Sequence, residues 1–400
     1  MSPPSGTPIK LGEILYGLGN VLSQKSTIER FRAAVCSYFD VKHCFLVSSG
    51  RAALTLILRS LSKVSDKKEV IIPAYTCFSV PSAIAKLGMK IRLCDISLET
   101  LDFDYAGLAK IGCGNVLCIV PTHLLGLPCE MDKIIEFGKA KGVYVIDDAA
   151  QAVGATFNGR LLGTFGDVGF FSLGRGKNIT TMGGGVIVTN SDELATEIGK
   201  ELGELRKSGI FNELEIFAKL LAYSLFLHPC IYWLPDKLPF LELGISKFDP
   251  DFGIETFGEL QACIGALLLK RLDFLNEIRI ENAGYIVKGV GNIENIVIPR
   301  PVENSYPVYL RLPIIVRDTL LRERIFGNLL RAGIGVSKMY PTALNEIPGI
   351  DKYMVLQGSS YPKAQELARS ILTLPTHPYV THDDLDLTIA TIEKNCLSKA

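Results

Sequence analysis

Residues 145–185 read VIDDAAQAVGATFNGRLLGTFGDVGFFSLGRGKNITTMGGG. The stretch begins with an apolar run that ends at the acidic pair Asp147-Asp148, and a second apolar run, Val168–Ser172, precedes a glycine-rich turn that contains Lys177. Short apolar runs bounded by glycine and small polar residues are typical of buried β-strands. The stretch therefore predicts a sheet that presents a carboxylate and a lysine near the ends of its strands.

The same alternation of strand and helix signals continues on both sides of this stretch. Further strands are predicted at His43–Val47, Val70–Ile72, Lys90–Cys94, Val116–Val120 and Gly185–Thr189. Helices are predicted at Ile28–Phe39 and Ala52–Ser60. Strands that alternate with helices indicate an α/β fold, here with a mostly parallel seven-stranded sheet. Ligands of such sheets bind at the carboxyl ends of the strands.

A second, smaller domain is predicted after this region. The chain has 400 residues, which exceeds one compact core and suits two domains. After a helical region, Tyr309–Val316 reads as a strand, Arg317–Ala332 as a helix and 362–374 as another helix. We therefore expect a large α/β domain over 1–290, which includes an N-terminal helical segment, and a small α+β domain over 291–400.

The composition excludes several classes of partner. Lys plus Arg equals Asp plus Glu at 42 each, so no net charge attracts the chain to nucleic acid. The ten cysteines include no C-x-x-C pair, which argues against a zinc site or a disulfide framework. The N-terminus has neither the basic nor the apolar region of a secretory signal. We expect a cytoplasmic protein without a bound metal.

One apolar segment, 216–235, bears on membrane contact. Its sequence is IFAKLLAYSLFLHPCIYWLP, in which Lys219 and the pair His228-Pro229 interrupt the apolar run. A bilayer span needs about 20 predominantly apolar residues. We interpret the segment as a buried or interfacial helix followed by a break, with a peripheral membrane or partner contact as the alternative.

Asp148 ends a predicted buried strand. A buried carboxylate needs a cation or hydrogen-bond donors, since an unpaired one costs several kcal/mol. A pyridinium nitrogen is one such cation, and acidic partners of this nitrogen are standard in pyridoxal 5′-phosphate (PLP) sites. The alternative interpretation is an aspartate that caps a helix N-terminus.

Lys177 lies in a turn of glycines that lets the backbone approach a ligand closely. A lysine held beside Arg175 or in a dry pocket loses its proton more readily, as covalent catalysis through the amine requires. The alternative is an exposed glycine-rich turn. The dinucleotide fingerprint fits poorly, because Gly183-Gly184-Gly185 leads into a strand, and the spacing of a phosphate-binding P-loop is absent.

The sequence Ser48-Ser49-Gly50-Arg51 opens a predicted helix. Backbone amides at a helix N-terminus, together with serine hydroxyls, form a site for an anion. The alternative is a serine that only caps the helix. Each of these three features has an ordinary structural explanation, but all three are expected at one edge of the same sheet.

In this combination the sequence resembles the DegT/DnrJ/EryC1/StrS family of sugar aminotransferases, which are fold-type I PLP enzymes. The resemblance covers about residues 10–395. It rests on SSGRAAL (48–54), IIPAYTCFSVPSAIAKLG (71–88), PTHLLGLPCEMDKI (121–134), VIDDAAQAVGATFNGRLLGTFGDVGFFS (145–172), KNITTMGGG (177–185), ELQACIGALLLKRLD (259–273) and LTLPTHPYVTHDDL (372–385). The block 145–185 is its specific part.

The resemblance implies chemical roles for three of these residues. Lys177 matches the lysine that binds PLP covalently and carries a proton during transamination. Asp148 matches the carboxylate that contacts the pyridinium nitrogen, and Gln151 matches a residue near the ring hydroxyl. Because the dehydratase branch of the family has histidine in place of the lysine, the resemblance favours transamination over 3-dehydration.

The resemblance also implies how the phosphate and the ring face are bound. Ser172 matches a phosphate-binding hydroxyl, with the amides of Gly50 and Arg51 beside it. Family members often stack an aromatic ring on PLP at the position of Cys77. Here either Phe78, one residue later, covers the ring through a small change of register, or an aliphatic or thiol group does. We include Phe78 among the expected cofactor-binding residues.

A second departure from the family precedes ELQA. Members commonly have Gly-x-Asn-x-Arg-Met there, a stretch that reaches into the partner subunit's site. This chain has FGIETFG (252–258), with Ile254 and Thr256 at the Asn and Arg positions. We therefore expect the region 216–258 to be remodelled for an unusual substrate or for an interface.

The resemblance implies a homodimer that transfers an amino group from glutamate or glutamine to a keto-sugar. The sugar is expected to be nucleotide-linked, and the pathway to make amino sugars or polysaccharides. His123 and Tyr340 are candidate substrate-side groups, each with a purely structural alternative. Two other functions remain open: transamination of a ketone without a nucleotide, such as a keto-cyclitol, and a non-catalytic regulatory or binding protein with the same fold.

Overall fold

Seven strands form the main sheet of the chain. The computed structural model describes residues 1–22, 26–229, 231–232 and 246–397. The strands of the main sheet are β1 (His43–Val47), β2 (Glu69–Pro73), β3 (Lys90–Cys94), β4 (Val116–Ile119), β5 (Tyr144–Asp148), β8 (Val168–Ser172) and β9 (Gly185–Thr189). Between β5 and β8, the short strands β6 (Thr156–Phe157) and β7 (Arg160–Leu161) form a separate sheet with β11 (Ser305–Tyr306).

The order of the main sheet is β1-β9-β8-β5-β4-β2-β3. The five strands from β8 to β3 run parallel, and β9 runs antiparallel to both of its neighbours, β1 and β8. The predicted mostly parallel seven-stranded sheet is therefore confirmed. Lys177 lies in the turn that connects the antiparallel strands β8 and β9.

The strands of the sheet are apolar because helices cover both of its faces. Every residue of β2, β4 and β9 is buried, including Ile71 and Ile187. Continuous burial of this kind is characteristic of parallel sheets between helical layers. The described helices of this part of the chain are α1 (Leu11–Leu22), α2 (Thr27–Phe39), α3 (Gly50–Val64), α4 (Ser79–Lys86), α5 (Tyr105–Leu108), α6 (Met131–Lys141), α7 (Asp192–Gly203), α8 (Ile210–Phe226), α9 (Glu259–Leu269) and α10 (Leu272–Val290). Helix α3 packs on β8 and β9, which fixes its N-terminus beside the end of β8.

A second sheet lies in the C-terminal part of the chain. Its strands, in the order β10 (Ile296–Val297), β12 (Leu312–Val316) and β13 (Ile371–Leu374), are antiparallel. The helices of this part are α11 (Thr319–Arg331), α12 (Pro362–Ser370) and α13 (His382–Leu397). We propose that the boundary between the large and small domains lies at residue 290, where α10 ends.

One predicted helix is shorter than expected. The prediction of a single helix over 362–374 is wrong for its last four residues, which form β13. These residues are all buried and pair with β12 from Leu312 to Ile315. Pairing in the sheet outweighs the helical pattern because it buries an apolar segment with its backbone hydrogen bonds satisfied.

The apolar segment 216–235 begins in a helix and then breaks, as the sequence predicts. Helix α8 ends at Phe226, just before His228-Pro229. Residues 230 and 233–245 of the region 216–258 lie outside the described residues. Among the described helices, none is both long enough and apolar enough to cross a membrane.

Candidate active site

A cavity of about 420 Å³ opens where β5, β8 and the N-terminus of α3 meet residues of the C-terminal part. All the site residues predicted from the sequence line it, except Phe78 and His123. Those that do are Gly50, Arg51, Asp148, Gln151, Ser172, Lys177 and Tyr340. The volume lies within the range of sites for small molecules.

Lys177 lies in a turn that the rest of the chain holds in place. The Thr7 hydroxyl contacts the carbonyl oxygens of Lys177 and Asn178 at 2.9 and 3.0 Å, and the Arg279 guanidinium donates to the Asn178 carbonyl at 3.1 Å. Burial lowers the pKa of the Lys177 ammonium, although Cys77 and Asp148 oppose this shift. The structure therefore shows a fixed lysine that faces a cavity and not an exposed flexible turn.

Asp148 ends β5 with its carboxylate on the cavity wall. Its Oδ1 accepts a hydrogen bond from the Ala150 amide at 3.0 Å, and its Oδ2 accepts one from the Thr122 hydroxyl at 3.3 Å. No helix begins within residues 149–155, directly after Asp148, so Asp148 does not cap a helix. Burial raises its pKa to about 6, against the lowering effects of the Ala150 amide and the Lys177 charge. A carboxylate with only neutral hydrogen-bond donors suits a cationic ligand such as a pyridinium nitrogen.

The predicted anion site forms between α3 and β8. The Ser49 hydroxyl accepts from the Ala52 amide at 3.1 Å and so caps α3. The amides of Gly50 and Arg51 belong to the first turn, where a helix offers them no acceptor. Gly50 lies so close to Ser172 that a Cβ on it would be 2.9 Å from the Ser172 Cβ. The cap and the anion site therefore coexist.

We expect Gly50→Ala to weaken binding of the cofactor's phosphate. The added methyl group would displace the Ser172 side chain, and loss of one hydrogen bond to a charged group costs about 1.5–3 kcal/mol. The dissociation constant of PLP, measured by titration of the cofactor-free protein, should rise at least about tenfold. The constant for pyridoxal, which has no phosphate, should hardly change.

A matched control for this variant is Gly284→Ala. Gly284 lies in α10, and a Cβ there meets no atom within 4 Å. It should leave both constants unaltered. Equal losses of PLP and pyridoxal binding in Gly50→Ala would contradict a phosphate contact at this site.

Phe78 does not line the cavity, contrary to its expected position over the cofactor ring. Phe78 is buried behind the cavity, where it stacks on Tyr340 with ring centroids 5.7 Å apart. Cys77 lines the cavity instead, with its Sγ 3.9 Å from the Ser246 hydroxyl. Phe78 is the N-cap residue of α4, and its ring packs on Tyr340. The change of register that would bring Phe78 to the cavity therefore does not occur.

Gln151 and Tyr340 lie together on one side of the cavity. The Gln151 Nε2 donates to the Tyr340 hydroxyl at 3.3 Å, and the Gln151 Oε1 accepts from the Leu125 amide at 3.1 Å. The Tyr75 hydroxyl donates to the Tyr340 carbonyl at 3.1 Å. Tyr340 thus joins the C-terminal part to the main sheet, and its ring faces the same space as Lys177.

His123 lies beneath the cavity and does not line it, contrary to its expected contact with substrate. Its Nδ1 accepts from the Cys129 amide at 2.9 Å, so its Nε2 carries the proton that is shared with Asp147 at 2.7 Å. Asp147 also accepts from the Gly163 and Phe165 amides. The side chain is fully buried, and it fixes the strand end that carries Asp148.

Arg311 is a cavity residue that the sequence analysis missed. It directly precedes β12 and lines the cavity close to Lys177. The signal that pointed to it was a single charged residue within the apolar run YLRLPIIV (309–316). A charge in a predicted buried strand needs a partner or a function.

The arrangement fits PLP in three respects. Asp148 is a buried carboxylate that forms no ion pair within the described part of the chain, a Cβ on Gly50 would crowd the Ser172 hydroxyl where a phosphate would lie, and Lys177 lies on the same cavity wall in a fixed turn. Asp148 would contact the ring nitrogen, and Gly50, Arg51 and Ser172 would hold the phosphate. Lys177 would hold the cofactor through its amine.

Comparison with known proteins agrees with this site. The profile of the DegT/DnrJ/EryC1/StrS aminotransferase family matches residues 18–393. The chain is 27% identical to the GDP-perosamine synthase of Caulobacter vibrioides over 92% of this chain and 89% of that protein. The structure of S. venezuelae DesV superimposes with a TM-score of 0.79 at 24% identity, over 97% of this chain and 95% of that chain.

A structure of the E. coli GDP-4-keto-6-deoxy-D-mannose-3-dehydratase with bound hydrated PLP superimposes with a TM-score of 0.77 at 20% identity, over 98% of this chain and 99% of that chain. These likenesses confirm the fold-type I architecture. PLP is the cofactor of the matching family. The chain therefore belongs to the DegT/DnrJ/EryC1/StrS family and is a PLP-dependent aminotransferase.

Proposed function

We propose that this enzyme transfers an amino group from glutamate or glutamine to the ketone of a nucleotide-linked sugar. The product would be an amino sugar for the synthesis of a polysaccharide or related glycan. The names of relatives such as GDP-perosamine synthase support this substrate class.

The observation that carries the proposal is the charge of the cavity. Three arginines line it besides Lys177, namely Arg51, Arg175 and Arg311, together with one carboxylate, Asp148. The cofactor's phosphate would lie beside Gly50 and Arg51, which leaves Arg175 and Arg311 for other ligand groups. These two arginines suit further anionic groups, such as a diphosphate or the carboxylates of an amino-acid donor.

The chain's own residues would divide the work as follows. Bound PLP supplies an electron sink for the reacting carbon. Asp148 would keep the ring nitrogen protonated. Gln151 and Tyr340 would contact the side of the ring that carries the hydroxyl group and so orient the ring. Lys177 Nζ would accept a proton from the donor's α-carbon and then return it to a neighbouring atom. This proton transfer requires a neutral amine, which the lowered pKa of Lys177 favours.

Two half-reactions test the proposal. The loaded enzyme is first mixed with L-glutamate, and we expect loss of the visible absorption of the lysine-bound cofactor and release of 2-oxoglutarate. The amine-loaded enzyme is then offered GDP-, UDP- and dTDP-linked keto-sugars, with mass spectrometry of the products. Amino transfer to at least one of them is the expected result. No transfer to any nucleotide-linked ketone would contradict the proposed acceptor.

A second candidate acceptor is a ketone without a nucleotide, such as a keto-cyclitol. The observation that favours it lies at 252–258. Phe252 covers the Arg51 guanidinium at 4.6 Å from the ring centroid, and Thr256 accepts from the Ser208 amide at 2.8 Å. This segment therefore places an aromatic ring beside Arg51 of the anion site. Keto-cyclitols belong in the same panel of acceptors.

We further propose that the enzyme acts as a cytoplasmic homodimer. The nine described cysteines are free thiols, which suits a reducing compartment. Large apolar side chains are exposed at the start of α8, with Phe211 82% exposed and Ile210 65% exposed. Exposed apolar surface of this kind supports an interface between subunits.

A further inference from the structure

Arg311 is a partly buried cation whose contacts among the described residues leave its charge unbalanced. Its Nη2 donates to the Ser5 hydroxyl at 3.0 Å, and its Nη1 lies 3.6 Å from the Met339 sulfur. No carboxylate of the described residues forms an ion pair with it. A guanidinium has five N–H donors, and a hydroxyl and a thioether are weak acceptors for them. Burial accordingly lowers the pKa of Arg311.

The other arginine next to the Lys177 turn, Arg279, is fully buried and has different contacts. Arg279 donates from its two terminal nitrogens to the carbonyl oxygens of Leu275, Gly6 and Asn178, and only its Nε lacks an acceptor among the described residues. It fixes the turn and does not line the cavity. Arg311 has no such backbone acceptors among the described contacts and faces the cavity. Its surroundings are therefore those of a residue that binds an anion from outside the chain.

The position of Arg311 limits which anion it can bind. A Cβ built on Gly176 would lie 3.8 Å from the Arg311 Nη2, and Gly176 directly precedes Lys177. Arg311 also contributes to the lowered pKa of Lys177. An anion held by this guanidinium would therefore lie on the Lys177 side of the cavity, near the carbon that reacts beside Lys177.

We propose that Arg311 binds the carboxylate attached to the reacting carbon of the amino-acid donor and of its 2-oxo-acid product. This proposal rests on the proposed aminotransfer from an amino acid. In an α-amino acid the carboxylate is bonded directly to the carbon that carries the amine. A planar guanidinium matches a carboxylate with two parallel hydrogen bonds.

Two other anions fit this position less well. The cofactor's phosphate is accounted for by the site at Gly50 and Ser172, where only a residue without a side chain leaves room. The diphosphate of a nucleotide-linked sugar is attached at the anomeric carbon, which is separated from a ketone elsewhere on the ring by further carbons. Arg311 therefore distinguishes the donor and leaves recognition of the nucleotide to other residues.

The test compares Arg311→Gln with the unchanged enzyme in the two half-reactions. Removing one partner of a buried charge pair commonly weakens binding by about 10²-fold or more. We expect the KM for L-glutamate and for 2-oxoglutarate to rise by that factor. The dissociation constant of PLP and the KM for the sugar acceptor should change less than about threefold. A primary amine without a carboxylate should react with both enzymes at similar rates.

Two further variants make the result decisive. Arg311→Lys keeps the charge but not the planar fork, so it should recover part of the lost affinity for glutamate. Arg317→Gln removes an exposed arginine just after β12, and should change none of these constants. Thermal unfolding shows whether each variant is folded. If Arg311→Gln does not fold, Arg311→Lys is compared with the unchanged enzyme in its place.

The outcomes separate this proposal from the one it rests on. If the unchanged enzyme accepts no amino-acid donor, the proposed function itself fails. If it accepts glutamate and the KM for glutamate is unchanged in folded Arg311 variants, only the role of Arg311 is overturned. A rise confined to the KM of the sugar acceptor would also overturn it, since Arg311 would then bind the acceptor.

Discussion

Replacing Lys177 with alanine should abolish turnover and prevent covalent attachment of PLP. The lysine is the one amine on the cavity wall among the described residues, and its turn is held by Thr7 and Arg279. It would serve both as the attachment point and as the group that moves the proton. Loss of a positioned general base alone reduces a rate by about 10² to 10⁴-fold. Because both functions disappear together, we expect a fall of at least about 10³-fold.

Borohydride reduction measures the attachment directly. Reduction fixes a cofactor bound through a lysine nitrogen as a stable secondary amine, which peptide mass spectrometry locates. The unchanged protein should carry the pyridoxyl phosphate group on the peptide with Lys177, and the alanine variant should carry none. Lys139→Ala, at an exposed position of α6, is the matched control and should label normally. Label on another lysine of the unchanged enzyme would disprove the assignment.

A chemical rescue separates a missing amine from a disturbed fold. The alanine variant leaves space at the cavity wall where the lysine side chain stood. A small primary amine added to the solution can enter such a space and accept the proton. We expect it to restore a small part of the half-reaction with glutamate. Absence of rescue together with a lowered unfolding temperature would indicate that the variant is misfolded.

The main sheet and the principal site residues could be predicted from the sequence because they depend on local patterns. Strands such as β5 and β8 are short apolar runs, and their parallel pairing brings their carboxyl ends to one edge. Asp148 and Lys177 each had an ordinary structural explanation by itself. Their common position at this edge, together with the resemblance to a family, made a cofactor site the better interpretation.

The features that were not predicted depend on contacts between distant parts of the chain. Arg311 is separated by more than a hundred residues from Lys177, and only the folded chain shows that no acidic side chain of its described part pairs with Arg311. Whether Cys77 or Phe78 faces the cavity depends on where α4 begins relative to Tyr340. The residues of β13 continue a helical pattern, and pairing with β12 makes them a strand.

Replacing Asp148 with asparagine should impair the reaction and, at neutral pH, stabilise the cofactor-free protein. Asparagine keeps the shape of the side chain, and its amide can still accept from the Ala150 amide and donate to the Thr122 hydroxyl. Asparagine has no negative charge, so it cannot stabilise the protonated, positively charged ring nitrogen. Loss of one partner of a buried charge pair costs about 3 kcal/mol, so we expect the rate to fall about 10²-fold.

The stabilising effect follows from the pKa of Asp148 in the cofactor-free protein. Burial raises this pKa from 3.8 to about 6. Between these two values the folded protein binds more protons than the unfolded chain, so the free energy of unfolding falls as the pH rises. Above about pH 6 the full cost of the buried charge is present, on the order of 3 kcal/mol. Asparagine has no charge to bury and avoids this cost.

Denaturant unfolding of the cofactor-free proteins between pH 4 and pH 7.5 tests this effect. The variant should be about as stable as the unchanged protein near pH 4 and more stable than it at pH 7.5. Asp383→Asn, at an exposed position of α13, should follow the unchanged protein throughout. With PLP bound the order at pH 7.5 should reverse, because the pyridinium neutralises the carboxylate and asparagine offers no charge to pair with. If the difference between the cofactor-free proteins were independent of pH, Asp148 would not titrate in this window. The buried carboxylate thus lowers the stability of the empty enzyme and, by the same charge, favours binding of the cofactor.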